Sequence, residues 1–174
     1  LQRAPAEQNL HGDSLLTDHD IYLFRQGTHF RLYDKLGAHP QRVGGAEGTR
    51  FAVWAPNADR VSVIGAFNDW RTDANPLKPR PDESGIWEGF VPGALRGMSY
   101  KFRIESSGGA FDKGDPFARF WEAPPLTASR IWREEYHWRD REWMEKRRAA
   151  NGLSSPMSIY EVHLGSWRRK PEEG

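Results

Sequence analysis

Gly48-Thr49-Arg50-Phe51-Ala52-Val53-Trp54-Ala55-Pro56-Asn57-Ala58, continued by Asp59-Arg60-Val61-Ser62-Val63-Ile64-Gly65, is the stretch that decides the fold class. Phe51, Val53 and Ala55 alternate with Ala52 and Trp54, and Val61 and Val63 alternate with Ser62 and Ile64. A period of two sends successive side chains to opposite faces, which is the pattern of strands rather than helices. Pro56-Asn57-Ala58-Asp59 interrupts the pattern as a turn, so the stretch reads as two strands joined in a hairpin.

Working outward, Ile86 to Val91 and Tyr100 to Ile104 repeat the alternation. Pro92-Gly93 and Arg96-Gly97 punctuate between them, and Ser106-Ser107-Gly108-Gly109 turns the chain afterwards. Phe111 and Ile131-Trp132 supply weaker late strands. Six or seven short strands with no long helix among them predict a mostly β chain, an immunoglobulin-like antiparallel β-sandwich with short helical flanks.

Before the sandwich, Thr17-Asp18-His19-Asp20 has the spacing of a capping box, and Ile21, Leu23 and Phe24 give the helix that follows an apolar side. Gly27 is placed to end it in a left-handed conformation. A second short turn is expected from Arg31 to Leu36, before Gly37 and Pro40 break the pattern. After the sandwich, Arg139 to Ala150 reads as a charged helix and Asn151 to Pro156 as a linker. Met157 to Leu164 is then nearly continuously apolar through Ile159, Tyr160 and Val162, as a strand buried on both faces would be. Such a strand needs partners, which are expected beyond Gly174. The chain divides accordingly into a helical lead-in at 1–45, the sandwich at 46–134, a helical linker at 135–155 and a strand stub at 156–174.

Composition narrows the function. Lys and Arg total 25 against 24 for Asp and Glu, a formal net charge of +1 that provides no field for recruiting nucleic acid. Lys146-Arg147-Arg148 shares its helix with Glu142 and Glu145, so it and Arg168-Arg169-Lys170 read as solvated faces. With no cysteine, neither a disulfide framework nor a thiolate metal site is available. His11, His19, His29 and His39 lack metal-ligand spacing, so no metal and no cofactor is expected. No apolar run approaches the roughly 20 residues of a membrane span, and Leu1 to Leu16 lacks the layout of a signal peptide. The chain therefore reads as cytoplasmic and without a membrane partner. It opens on Leu1 rather than methionine and closes on Pro171-Glu172-Glu173-Gly174, and both ends are expected to be cut.

Eight tryptophans exceed what a core of this size needs, so some rings are expected at a working surface. Trp70 ends the loop Phe67-Asn68-Asp69-Trp70, where an aromatic is less often core. Trp54 and Trp87 fall within strands and are expected mainly to pack. Trp121, Trp132, Trp138 and Trp143 cluster towards the end of the sandwich and beyond it, where exposure is expected.

Several of these segments together resemble a known family. The run from Gly48 to Ala58, the run from Arg60 to Trp70, Ser84-Gly85-Ile86-Trp87-Glu88, Tyr100-Lys101-Phe102 and Asp115-Pro116-Phe117-Ala118 are similar to the family-48 carbohydrate-binding module that precedes starch- and glycogen-active barrels. Ser158-Ile159-Tyr160-Glu161-Val162-His163-Leu164-Gly165-Ser166-Trp167-Arg168-Arg169 resembles the first barrel strand of bacterial 1,4-α-glucan (glycogen) branching enzymes. Leu32 to His39 resembles the segment ahead of the module in those enzymes. The resemblance covers most of residues 15 to 169.

It implies an N-terminal part of a branching enzyme of glycogen biosynthesis, a retaining glycosyltransferase whose (β/α)₈ barrel of roughly 250 residues the chain does not contain. No residue here inherits a catalytic role, and the 174-residue chain alone is expected to be inactive. Asp115 and Glu161 are carboxylates that nothing in the spacing pairs. The implied partners are α-1,4-glucan, as glycogen or maltooligosaccharide, and the missing barrel. Trp70 is implied as a stacking platform for a sugar ring and Lys101 as a partner for its hydroxyls. Phe111 stands near the position where glycogen-binding members carry a second tryptophan. A stand-alone glycogen-targeting module and the front of an isoamylase-like debranching enzyme are the alternatives, and the ending from Ser158 to Arg169 argues against both.

Overall fold

The computed structural model describes residues 14–150 and 152–167, which fall into two compact units, Leu1–Glu134 and Glu135–Gly174. His11 and the Arg168-Arg169-Lys170 run lie outside the described residues.

In the first unit, Thr17 and Asp20 form the expected capping box around helix α1 (Asp18–Gln26), with Thr17 Oγ1 accepting from Asp20 N at 3.2 Å and Thr17 N donating to Asp20 Oδ2 at 2.8 Å. Gly27, at φ 68°, ends the helix. The Asp20 carboxylate also receives Lys35 Nζ and His29 Nε2, each at 2.8 Å. Burial opposes its ionisation, yet the bonds from Lys35, Thr17 and His29 hold it well below the usual carboxylate range.

Two antiparallel sheets follow. The first has the order β1-β2-β5-β4, from β1 (Gly37–Val43), β2 (Ala46–Trp54), β5 (Ile86–Pro92) and β4 (Lys78–Pro79). The second runs β3-β6-β9-β8, from β3 (Arg60–Gly65), β6 (Ser99–Ser106), β9 (Ser129–Arg130) and β8 (Phe120–Trp121), with β7 (Gly109–Lys113) also paired to β6. The mostly β, two-sheet expectation holds.

Two local expectations do not. Pro56 to Asp59 is not a hairpin turn: it carries the chain from β2 in one sheet to β3 in the other. Asp59 N bonds to Glu105 O of β6 and Ala55 N to Gly85 O just ahead of β5, while Ala58 N closes locally on Ala55 O. Alternation identifies a strand and its buried face but not the strand beside it, and Phe51 and Val61 meet across a shared core instead. Gly37 to Val43, expected to end the lead-in, is the edge strand β1, paired in register with β2 from Gly37↔Ala52 to Val43↔Ala46. Pro40 is tolerated there because an edge strand leaves one row of N–H groups unused.

The core between the sheets contains Phe51, Val53, Val61, Val63, Leu77, Trp87, Val91, Tyr100, Phe102 and Ile131. Phe51, Tyr100 and Phe102 pack edge to face with centroids 5.1–6.3 Å apart. A second cluster of Leu16, Ile21, Leu36, Ala52 and Ile86 covers part of the first sheet's outer face. Trp87 packs as expected, 9 % exposed, with its Nε1 donating to Ala55 O. Trp54 lies on the outer face against Phe24 and stays 55 % exposed.

One segment belongs to both sheets. Asn75 O accepts from Val63 N at 2.9 Å and Leu77 N donates to Val61 O at 2.8 Å along the edge of the second sheet; Lys78–Pro79 then pairs with β5 in the first.

The second unit holds helix α2 (Arg141–Ala150), whose Glu142–Lys146 and Arg141–Glu145 ion pairs make the expected solvated face. Residues 156–163 have no regular secondary structure, and α3 (Leu164–Trp167) is a single turn, so the strand expected from Met157 to Leu164 is not formed. A strand needs a hydrogen-bonded neighbour, and none pairs with this segment among the described residues. Met157, Ile159, Tyr160 and Leu164 are each about four-fifths exposed.

Candidate functional site

The loop carrying Trp70 is fixed by its own polar groups. Gly65 ends β3, and a single 3₁₀ turn, Ala66–Asn68, follows. The Asn68 side chain accepts from Gly65 N at 2.9 Å and donates to Val63 O at 2.9 Å and to Asn75 Oδ1 at 2.7 Å. Trp70 N donates to Gly65 O at 3.0 Å. Asp69 and Trp70 both take left-handed backbone conformations, at φ 52° and 58°. Such geometry is unusual for a bulky residue and costs on the order of 1–3 kcal/mol, a strain that recurs at binding sites. The indole is 41 % exposed.

Lys101 stands on β6 directly across from Ile64, while Gly65, the acceptor of Trp70's N–H, pairs with Tyr100. The fold therefore brings Trp70 and Lys101 to the same end of the second sheet. Tyr100, Phe102 and Ile104 of β6 face the core, so Ser99, Lys101 and Arg103 face outward. Lys101 Nζ donates to Thr127 Oγ1 at 2.8 Å. Beside it, Glu122 accepts from Ser99 Oγ at 2.6 Å and from Ala128 N at 3.1 Å. The Ser99 bond is the main reason the Glu122 carboxyl lies below its ordinary value. Phe120 pairs with Arg130, and Arg130 with Ser99, so Phe120 shares this outer face. It is 45 % exposed and stacks on Trp132 at 5.0 Å, over which Arg96 places its guanidinium at 4.1 Å.

Phe111 does not join them. It pairs with Ile104, whose side chain packs on the core, so it belongs to the opposite face of the sheet from Lys101. Its 46 % exposed ring lies 5.4 Å from Lys113 Nζ. The β7 residues on the outer face are Ala110 and Asp112, the latter ion-paired with Arg103 at 3.0 Å. The tight turn at Ser107-Gly108 pairs Ser106 with Gly109 and sets this register, and a shift of one residue exchanges the two faces. Thr127, Glu122 and Phe120 were not singled out from the sequence. The first two come from the segment 122–128 outside the strands, where period-two patterning has nothing to say, and Phe120 from a strand of two residues.

Asp115 is structural in its surroundings. It is fully buried, accepts Tyr100 Oη at 2.5 Å and Phe117 N at 2.8 Å, and its own N donates to Ser129 Oγ at 2.9 Å. Burial raises its pKa against the pull of those two bonds on the carboxylate, and burial likewise raises that of Tyr100. Among the described residues no group of three or more His, Asp or Glu is placed to hold a metal, and no helix is long and apolar enough to cross a membrane.

Residues 35–118 match the family described as Carbohydrate-binding module 48 (Isoamylase N-terminal domain). The chain is 58 % identical over 156 residues to the 1,4-alpha-glucan branching enzyme of Albidiferax ferrireducens, a match covering 88 % of this chain and 24 % of that one. It is 54 % identical over 161 residues to the branching enzyme of Aquifex aeolicus, covering 92 % and 26 %. A pullulanase from Bacillus acidopullulyticus superimposes on 57 % of this chain and 12 % of its own, with a TM-score of 0.47 and 24 % identity. The chain thus spans about a quarter of the length of the curated relatives it matches. Residues 35–118, most of the two-sheet fold, thus match the family-48 carbohydrate-binding module, within a chain similar over most of its length to bacterial 1,4-alpha-glucan branching enzymes.

Proposed function

We propose that this chain is the glucan-holding front part of a 1,4-α-glucan branching enzyme, and that the outer face of its second sheet, at the Trp70 end, takes an α-1,4-glucan chain. The observation that carries this reading is the loop that holds Trp70 half-exposed in a left-handed conformation at the end of the second sheet where Lys101 also stands. A glucose ring has an apolar C–H face and a rim of hydroxyls. The indole buries the face, the Lys101 ammonium donates to hydroxyl oxygens, and Thr127 extends the polar rim. A neutral polymer needs no strong field, which fits the balanced charge.

Branching itself cleaves one glycosidic bond and passes the glycosyl group to another sugar hydroxyl, which requires a pair of carboxyl groups about 5 Å apart. That chemistry belongs to the length of the branching enzymes that this chain does not span. The exposed apolar side chains from Met157 to Leu164 support reading residues 156–174 as the opening strand of the catalytic barrel, which pairs once the other barrel strands are present.

The test is calorimetric titration of the chain with glycogen and with maltoheptaose. Saturable binding is expected, weakened about ten- to thirtyfold in a folded Trp70→Ala variant. Absence of binding by the folded wild-type chain would make the module a brace for the barrel instead.

A further inference from the structure

The first sheet carries a second polar site, on its own outer face, that the glucan reading does not use. Arg50 of β2, Glu88 and Phe90 of β5, and Lys78 and Arg80 at β4 line one cleft of about 590 Å³ together with Pro76 and Pro79. The register requires them to share a face, since Arg50 pairs with Phe90 and Lys78 with Glu88. This volume is that of a small-molecule site, roughly 300–1,000 Å³, and more than a bare ion needs.

The charges within the cleft are unevenly matched. Arg80, whose side chain is fully buried, is neutralised by Glu88 at 2.7 Å and Asp82 at 2.8 Å. Glu88 is then committed, since Ser14 Oγ also donates to it at 2.7 Å. Arg50 is only 5 % exposed, yet among the described residues its Nε meets no acceptor and no carboxylate pairs with its guanidinium. A long cationic side chain on a sheet face ordinarily slides its head out to water, and a buried unpaired one is strongly disfavoured. Arg80 Nη2 is likewise buried without an acceptor. Arg80 with its two carboxylates carries a net charge of −1, and Arg50 and the exposed Lys78, neither of them ion-paired among the described residues, bring the group to +1.

We propose that this cleft binds a phosphate monoester carried on a sugar. A phosphate monoester carries its charge of about −1.5 to −2 at neutral pH on three oxygens of one centre, so a single group can meet both Arg50 and Lys78. The guanidinium fork of Arg50 suits two phosphate oxygens, and Lys78 closes from the rim. The Phe90 ring and the prolines give the adjoining wall C–H surface for the sugar. The phosphate can arrive on a free sugar phosphate or as an ester on a glucan chain, and the chemistry is shared.

The test is calorimetric titration of the chain with glucose 6-phosphate, inorganic phosphate, glucose and a 6-phosphorylated maltooligosaccharide. Glucose 6-phosphate is expected to bind saturably, more tightly than inorganic phosphate, and glucose not to compete. Arg50→Met, checked for folding by circular dichroism, is expected to weaken it at least about tenfold, and the exposed-site variant Lys78→Ala about three- to tenfold. Phosphomaltooligosaccharide binding about tenfold tighter than glucose 6-phosphate assigns the site to an esterified glucan; equal or weaker binding assigns it to the free sugar phosphate. No saturable binding of glucose 6-phosphate to the wild-type chain, or undiminished binding in either variant, overturns the proposal. Failure of the glucan reading shows separately, as absent binding of unphosphorylated maltoheptaose.

Discussion

Tyr100→Phe removes one oxygen from the centre of the module and tests how its two faces are tied together. The hydroxyl is fully buried and donates to Asp115 Oδ2 at 2.5 Å, leaving that carboxylate with Phe117 N as its remaining donor. A hydrogen bond to a charged group contributes about 1.5–3 kcal/mol, so the ring can stay in place while the chain loses about 2 kcal/mol. With a urea m value of about 2 kcal/mol/M, the unfolding midpoint falls by about 1 M. The pH dependence sharpens the test. Burial raises the Asp115 pKa in the folded chain, and the Tyr100 and Phe117 bonds hold it down. A carboxyl with a raised folded pKa contributes stability that is complete below its unfolded pKa, near 3.9, and is lost as pH rises through the folded value. Without the Tyr100 hydroxyl the folded pKa climbs further, so more is lost over that rise and the variant's deficit is larger at pH 7 than at pH 4. Urea titrations of both chains at the two pH values measure it. A midpoint change below about 0.25 M, or a deficit that is the same at both pH values, refutes the reasoning.

Three further outcomes are expected. Asp20→Asn loses the charge that Lys35 and His29 address and is destabilised by about 2 kcal/mol near neutrality. Because the folded Asp20 pKa is depressed, the wild-type advantage is present above the unfolded value and shrinks as pH falls through the folded one, which thermal melts across the acid range check. Phe111→Ala leaves maltoheptaose affinity unchanged and shifts stability by no more than about 0.5 kcal/mol, read by calorimetry and urea titration, since the ring is half-exposed on the other face. Gly65→Ala brings a methyl to within 2.4 Å of Ser99 O and 2.8 Å of the Phe67 ring, so about 1–3 kcal/mol is lost in a urea melt and glucan affinity falls as the Trp70 loop shifts.

The strands of this module are legible because their apolar residues alternate: Phe51, Val53, Val61, Val63, Tyr100 and Phe102 all reach the core where the period places them. Which strand lies beside which is carried by backbone bonds that leave no trace in that alternation, so Pro56 to Asp59 looked like a hairpin and crosses between sheets. β1 was hidden by Gly37 and Pro40, which break the pattern, while Gly44 and Gly45 form the tight turn into β2 with φ of 57° and 87°. At the site, the loop position of Trp70 was readable, and so was Lys101 on a strand. Phe111 illustrates the limit, because a face assignment depends on register to a single residue. The apolar run from Met157 to Leu164 predicts a strand only where a neighbour exists to pair with it.

The segment from Asn75 to Pro79 has a mechanical meaning. Load applied to the Trp70 loop passes to Gly65 O and, through the Asn68 amide, to Asn75. From Asn75 the load divides, because the same short stretch is bonded to β3 on one side and to β5 on the other. Force applied at this loop is therefore shared between both layers at once.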